Sequence, residues 1–239
     1  MIPAPPAETR RQLASAGTAT IANALLRRGL RNTFLLGVQP VAPEPPPLVG
    51  PAYTLRFIPS REDLDSLAGY GDDEHLHRRA IEECPPGHVL VIDTGSNVAA
   101  ASAGDLMIAR LKARGVAGVV TDGGFRDTPA IRGSGLPAYQ RRSAPPATPI
   151  ALHPVELNGP VGCAGVAVYP DDVVVGDGEG VVIVPAHLAA EVAAESAEAT
   201  AYEGFAEHEI AQGRSLFGLF PATDASRSEY RTWLAAQGL

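Results

Sequence analysis

The 239-residue sequence predicts an α/β fold: one domain over residues 1–239, with a parallel central sheet and a second, largely antiparallel sheet. Residues 88–121 give the first indication. An apolar run of strand length, His88-Val89-Leu90-Val91-Ile92-Asp93, is followed by a small polar loop, a helical segment over 105–114 and a second apolar run over 116–121. A strand, helix and strand at this spacing imply a right-handed parallel unit. Residues 136–185 give the second indication, reading as mostly short strands broken by Gly and Pro. Helical patterns at both ends complete the picture, with no internal repeat or low-complexity linker to divide the chain.

The elements follow in order. A helix is expected over residues 8–29, and then a loop in which Pro43, Pro45, Pro46 and Pro47 favour extended backbone. Residues 49–58 alternate enough for a strand, with Arg56 on one face. Residues 63–84 carry helical spacing, with Leu64, Leu67, Leu76 and Ile81 as inner positions and Gly69 and Gly71 as interruptions. The strand–helix–strand unit comes next, its helix closed by Gly115 as a residue of left-handed conformation, and a short helix follows Pro129. The Ala- and Glu-rich stretch 186–213 reads as a helix, 216–221 as extended, and 226–237 as a final amphipathic helix.

In the parallel unit, the loops after both strands open at the carboxyl edge of one sheet, where α/β proteins bind ligands. Gly104 allows an anion to approach the first-turn amides of Asp105, Leu106 and Met107, which lack intrahelical partners. Arg126 adds a planar fork able to hold a carboxylate or polarise a carbonyl. Asp127 supplies a hard oxygen suited to a largely hydrated Mg²⁺ or Mn²⁺, and Asp105 could orient a metal-bound water. Such a set suits a 2-oxo acid chelated to a divalent ion. Each piece has a plainer reading: Asp105 as a favourable first-turn acid, Arg126–Asp127 as a surface ion pair, Asp122-Gly123-Gly124 as a tight turn. Their joint placement on adjacent strand ends favours a site.

These residues resemble a known family. Gly104-Asp105-Leu106-Met107, then Lys112-Ala113-Arg114-Gly115-Val116-Ala117-Gly118-Val119-Val120, then Asp122-Gly123-Gly124-Phe125-Arg126-Asp127, are similar to the signature of the RraA-like family. So are Gly165 to Pro170, Val175-Gly176-Asp177, Gly180 to Pro185 and the entry segment Thr18 to Leu25. Together they cover roughly residues 15–195. One departure is Pro170-Asp171-Asp172, where the family usually has Pro-Gly-Asp. The resemblance implies a layered β/β/α swivelling-domain fold assembled as a homotrimer or homohexamer, with the N-terminal helix and C-terminal helical tail packing on the domain or on a neighbouring subunit. It implies a class II pyruvate aldolase that cleaves a 4-hydroxy-2-oxo acid such as 4-hydroxy-4-methyl-2-oxoglutarate or 4-carboxy-4-hydroxy-2-oxoadipate, with oxaloacetate decarboxylation from the same enolate chemistry. Arg126 and the amides after Gly104 would bind the pyruvyl part, Asp127 would ligate the metal, and Asp105 would hold a metal-bound water. The acid that aldolase members bring in from a neighbouring subunit does not align uniquely among Glu198, Glu203, Glu207 and Glu209. The family also holds a regulator of ribonuclease E activity, so a non-catalytic ribonuclease-binding protein is the rival. A hydratase or lyase of a sugar-derived 2-oxo acid is a further alternative.

Composition narrows the classes. With 19 Lys and Arg against 27 Asp and Glu the net charge is −8, which argues against a nucleic-acid surface, and the 5% aromatic content offers few stacking platforms. Cys84 and Cys163 match no zinc spacing and read as reduced, partly buried thiols. No signal peptide or membrane span is expected, so a cytoplasmic protein is expected. His75 and His77 form a His-x-His that reads as a solvated helical face, since positions i and i+2 point apart on a helix. Gly176, Gly178 and Gly180 lack the dinucleotide-binding spacing, Ser102 and Ser134 lack a His partner in sequence, and His153 is assigned no role.

Overall fold

The computed structural model describes residues 5–66, 69 and 72–237. The elements are α1 (Ala7–Arg27), β1 (Gln39–Pro40), β2 (Leu48–Pro59), α2 (Leu76–Glu83), β3 (Val89–Asp93), β4 (Ala101–Ala103), α3 (Asp105–Ala113), β5 (Gly118–Thr121), β6 (Gly124–Phe125), α4 (Thr128–Ser134), β7 (Ala138–Gln140), β8 (Leu152–Leu157), β9 (Val173–Gly176), β10 (Val181–Val184), α5 (Ala189–Ala211) and α6 (Asp224–Gln237). Eight strands form one mixed sheet in the order β1-β7-β5-β3-β2-β9-β10, with β8 branching from β2. The expected parallel unit is present: β3 pairs in parallel with β2 on one side and β5 on the other, and β5 with β7.

The expected second antiparallel sheet does not form separately. β2 is long enough to run parallel to β3 through residues 52–56 while its first four residues, Leu48 to Pro51, pair antiparallel with β9. The antiparallel strands therefore continue the same sheet, which curls until its edges meet: Phe34 bridges Val182, and the Leu35 N–H donates to the Val181 carbonyl at 2.9 Å, just ahead of β1. The result is a nearly closed barrel. Leu35, Val38, Leu48, Val89, Val91, Val120, Tyr139, Val174 and Val181 fill its interior. Helices α2, α3 and α4 cover the parallel face through Ile81, Ile108, Leu111 and Ile131, and α1 with α5 covers β9 and β10. The small separate sheet is the parallel pair β4–β6.

Three local expectations are corrected. Helix over 63–84 is confined among the described residues to α2, because Asp65 turns back to accept the Arg61 N–H and to pair with His153, leaving Leu64 60% exposed; Leu67 and Gly71 lie outside the described residues. His75 caps α2 and His77 is fully buried edge-on against Phe57, so the pair is not a solvated face. Residues 216–221 form turns, not an extended segment, because the Leu219 and Phe220 N–H groups both fold back onto the Leu216 carbonyl. The first helix also breaks at Gly17 (φ 73°, ψ 154°), and its second part starts under the Asp177 carboxylate, which accepts from the Thr18 N–H at 2.7 Å and the Thr18 hydroxyl at 2.9 Å.

Both cysteines are free and buried, and burial pushes the Cys84 thiol up to about 12 and Cys163 well up. No helix among the described residues is long and apolar enough to cross a membrane.

Candidate functional site

The site is built by two short strands. β4 and β6 pair in parallel beyond the carboxyl ends of β3 and β5, with Ala101 opposite Gly124 and Ala103 opposite Phe125. Each delivers its next residue to the same place: Gly104, which caps α3 with extended backbone, and Arg126, whose N–H donates to the Ala103 carbonyl at 3.1 Å. The buried Ser102 hydroxyl reaches Thr121 Oγ1 and the Gly124 carbonyl, both at 3.1 Å, and fixes the pair to the main sheet.

Asp127 follows in left-handed backbone (φ 57°, ψ 32°), a conformation Asp tolerates better than most residues. Its carbonyl accepts the Ala130 and Ile131 N–H groups and so begins α4. Arg126 Nε lies 3.3 Å from Asp127 Oδ2, and both side chains remain about half exposed (49% and 44%). A cavity of about 270 Å³ collects Ala103, Gly104, Asp105, Leu106, Met107 and Arg126 on one side, and Ala147, Thr148 and Pro149 on the other.

Gly104, Asp105, Leu106, Met107 and Arg126 thus line one cavity, with Asp127 beside Arg126. Glu198 and Glu203 instead line a separate pocket against α1 and α5. One detail differs from expectation. The first-turn amides are not all available to a ligand, because Asp105 Oδ1 accepts the Leu106 N–H at 2.8 Å. An acid in the first turn of a helix is drawn to these same donors. Asp105 therefore competes with any anion for that amide, and the Leu106 side chain, 80% exposed, projects outward as the rim.

The opposite wall, Ala147, Thr148 and Pro149, was not among the candidates read from local patterns. The buried Asp122 was also missed. Its carboxylate accepts from the Thr94 and Ser96 N–H groups at 2.7 and 2.8 Å, from both hydroxyls, and from the Ala164 N–H at 3.1 Å. Instead of marking a simple turn, it ties the loop after β3 to the exit of β5. Its adjacency to two glycines was the only available signal.

Among the described residues, no group of three or more His, Cys, Asp or Glu side chains is arranged to hold a metal. Two carboxylates are near: Asp105, which lines the cavity, and Asp127, which lies beside it against Arg126 Nε. That set fits an ion such as Mg²⁺, which keeps several waters and takes one or two protein carboxylates.

The family model described as RraA-like, Aldolase/RraA, matches residues 18–183. A protein from Halalkalibacterium halodurans with the provisional name 4-hydroxy-4-methyl-2-oxoglutarate aldolase is 34% identical over 141 residues, which span 58% of this chain and 60% of that protein. The crystal structure of Streptomyces coelicolor RraAS2, described as an unusual member of the RNase ES inhibitor RraA protein family, superposes with a TM-score of 0.75 at 32% identity, covering 85% of this chain and 97% of that one. An uncharacterized protein from Pseudomonas syringae pv. tomato shares the fold, with a TM-score of 0.76 at 24% identity over 88% of this chain and 96% of that one.

Proposed function

The chain belongs to the RraA-like family, and from that premise we propose that it is a divalent-metal-dependent lyase cleaving a 4-hydroxy-2-oxo acid to pyruvate and a second carbonyl compound. The observation that carries this reading is the convergence of Arg126 and Asp127 on Gly104 at the start of α3, beside one cavity. Arg126 binds the carboxylate and ketone oxygens through its fork and holds the C3–C4 bond in a fixed orientation. Its charge also offsets the negative charge that develops on the ketone oxygen as that bond breaks. Asp127 is the group that would hold Mg²⁺ or Mn²⁺, with Asp105 on the same side of the cavity to orient a bound water, and the ion when bound supplies further charge stabilisation to the same oxygen. Asp105 is the carboxylate placed to receive the 4-hydroxyl proton, directly or through water. Apolar Met107, Ala147 and Pro149 line the cavity beside it, with Leu106 at the rim. The same residues would support decarboxylation of oxaloacetate. Assembly as a homotrimer or homohexamer belongs to this reading.

The test is pyruvate release from a panel of 4-hydroxy-2-oxo acids, including 4-hydroxy-4-methyl-2-oxoglutarate, and from oxaloacetate, with and without Mg²⁺. Metal-dependent pyruvate from at least one panel member is expected; none from any would overturn the lyase. The description of the Streptomyces coelicolor relative supports a second reading, a protein that binds and inhibits a ribonuclease without turnover. Ribonuclease inhibition that survives in Arg126→Ala, with no pyruvate release by the parent chain, would favour it.

A further inference from the structure

We propose that Gln140 is the positioning residue for the Arg126–Asp127 pair, an inference that rests on the lyase reading for its catalytic consequence. Gln140 is the last residue of β7, just beyond the ladder in which Ala138 and Tyr139 pair with Val119 and Val120. After it the chain runs alongside β6: the Arg141 N–H donates to the Gly123 carbonyl and the Ala144 N–H to the Phe125 carbonyl, each at 2.9 Å. The Phe125 N–H is buried among these groups and donates to the Gln140 side-chain carbonyl at 2.7 Å. A side chain here replaces a strand partner.

The other end of the same amide reaches past the dipeptide. Gln140 Nε2 donates to Ser143 Oγ at 3.4 Å, and Ser143 Oγ lies 3.2 Å from Thr128 Oγ1. Phe125 precedes Arg126 and Thr128 follows Asp127, so one side chain holds both flanks of the pair. Between these anchors the Arg126 N–H is tied to Ala103 and Asp127 adopts left-handed backbone. Removing the amide leaves the Phe125 N–H buried without a partner, and such a group drives the backbone to rearrange. Because Arg126 and Asp127 act through fixed geometry, a small shift of β6 reaches both at once.

The experiment compares Gln140→Met, similar in length but without the amide, with Gln140→Glu, which keeps an acceptor for the Phe125 N–H and for Ser143. Three readouts are taken: amide hydrogen exchange of residues 124–130 against 89–93, Mn²⁺ affinity, and kcat and KM for pyruvate release. Gln140→Met is expected to speed exchange roughly tenfold at 124–130 while sparing 89–93. It is expected to lower Mn²⁺ affinity and kcat/KM by roughly tenfold each, as loss of a supporting partner does. Gln140→Glu should restore all three to within about threefold of the parent. If Gln140→Met does not fold, the exposed change Ser143→Ala should move the same readouts in the same direction. Unchanged exchange at 124–130, a uniform rise across both segments, or a Glu variant as impaired as Met would overturn the proposal. If the parent chain releases no pyruvate, the lyase reading fails, while the exchange readout still decides the role of Gln140.

Discussion

The Cβ that Gly104 lacks would stand 2.9 Å from Arg126 Nε and 3.1 Å from Asp127 Oδ2. The backbone at Gly104 (φ −128°, ψ 179°) is one that any residue adopts, so the glycine is required by the approach of Arg126 and not by conformational strain. Gly104→Ala should therefore fold normally and displace the fork. We expect roughly a tenfold fall in kcat/KM, equivalent to about 1.4 kcal/mol. An alanine variant with parent-like turnover would show that the space above residue 104 is not used.

Arg126→Lys retains the charge and loses the planar fork. At least roughly a 100-fold loss in kcat/KM is expected, or about 2.7 kcal/mol of transition-state stabilisation. A lysine variant within a few-fold of the parent would make Arg126 the partner of Asp127 and nothing more.

For Asp127 the informative change is Asn, because Asn also tolerates the left-handed backbone observed there and removes the charge. Mn²⁺ binding by titration and metal-dependent pyruvate release should disappear together in Asp127→Asn. Undiminished turnover, or parent activity persisting in excess chelator, would count against the metal assignment.

Burial holds the His77 imidazole down to about 4 from its ordinary 6.5, with His75 adding to the shift and a hydrogen bond to the Ser102 backbone opposing it. The folded chain then keeps His77 neutral where the unfolded chain is protonated. The unfolded state binds the extra proton between about pH 6.5 and 4, so stability falls as pH drops through that window and levels off below it, by roughly 3 kcal/mol for the full shift. Urea midpoints at pH 7 and 4.5 should converge in His77→Leu relative to the parent. Identical acid sensitivity in both would refute a neutral, buried His77.

Phe217 is 95% exposed, with Leu216 and Phe220 about half exposed beside it, while Leu219 between them is buried under Tyr202 and Phe205 of α5. An apolar cluster of this kind suits a contact between copies. Light scattering should give a trimer or hexamer, and Phe217→Ser should shift it toward monomer. A parent protein that is monodisperse, monomeric and fully active would refute the assembly.

The sequence by itself determined the parallel unit and the site at its carboxyl edge. Both rest on local patterns: apolar runs of strand length, a helix closed by Gly115, and a Gly-Asp and an Arg-Asp placed at strand exits, where the chain direction alone puts them on one edge. Composition read α5 and amphipathic periodicity read α6, since helix propensity and the direction of each helical side chain are local properties.

Only the tertiary structure decided the rest, because those features depend on partners distant in the chain. β2 pairs with β3, β8 and β9 at once and turns two expected sheets into one curled sheet, a choice no single strand pattern carries. Asp177 reaches across 159 positions to start the second half of α1 at Thr18. His77 looked like a solvated helical face and is buried because α2 starts late and turns it toward Phe57. Ala147 and Pro149 became a wall of the cavity, and Gln140 a clamp on Phe125, through packing between segments that share no local signal. Hydrophobic pattern and turn chemistry are local quantities, whereas a buried hydrogen bond is satisfied by whichever group the folded chain brings within reach.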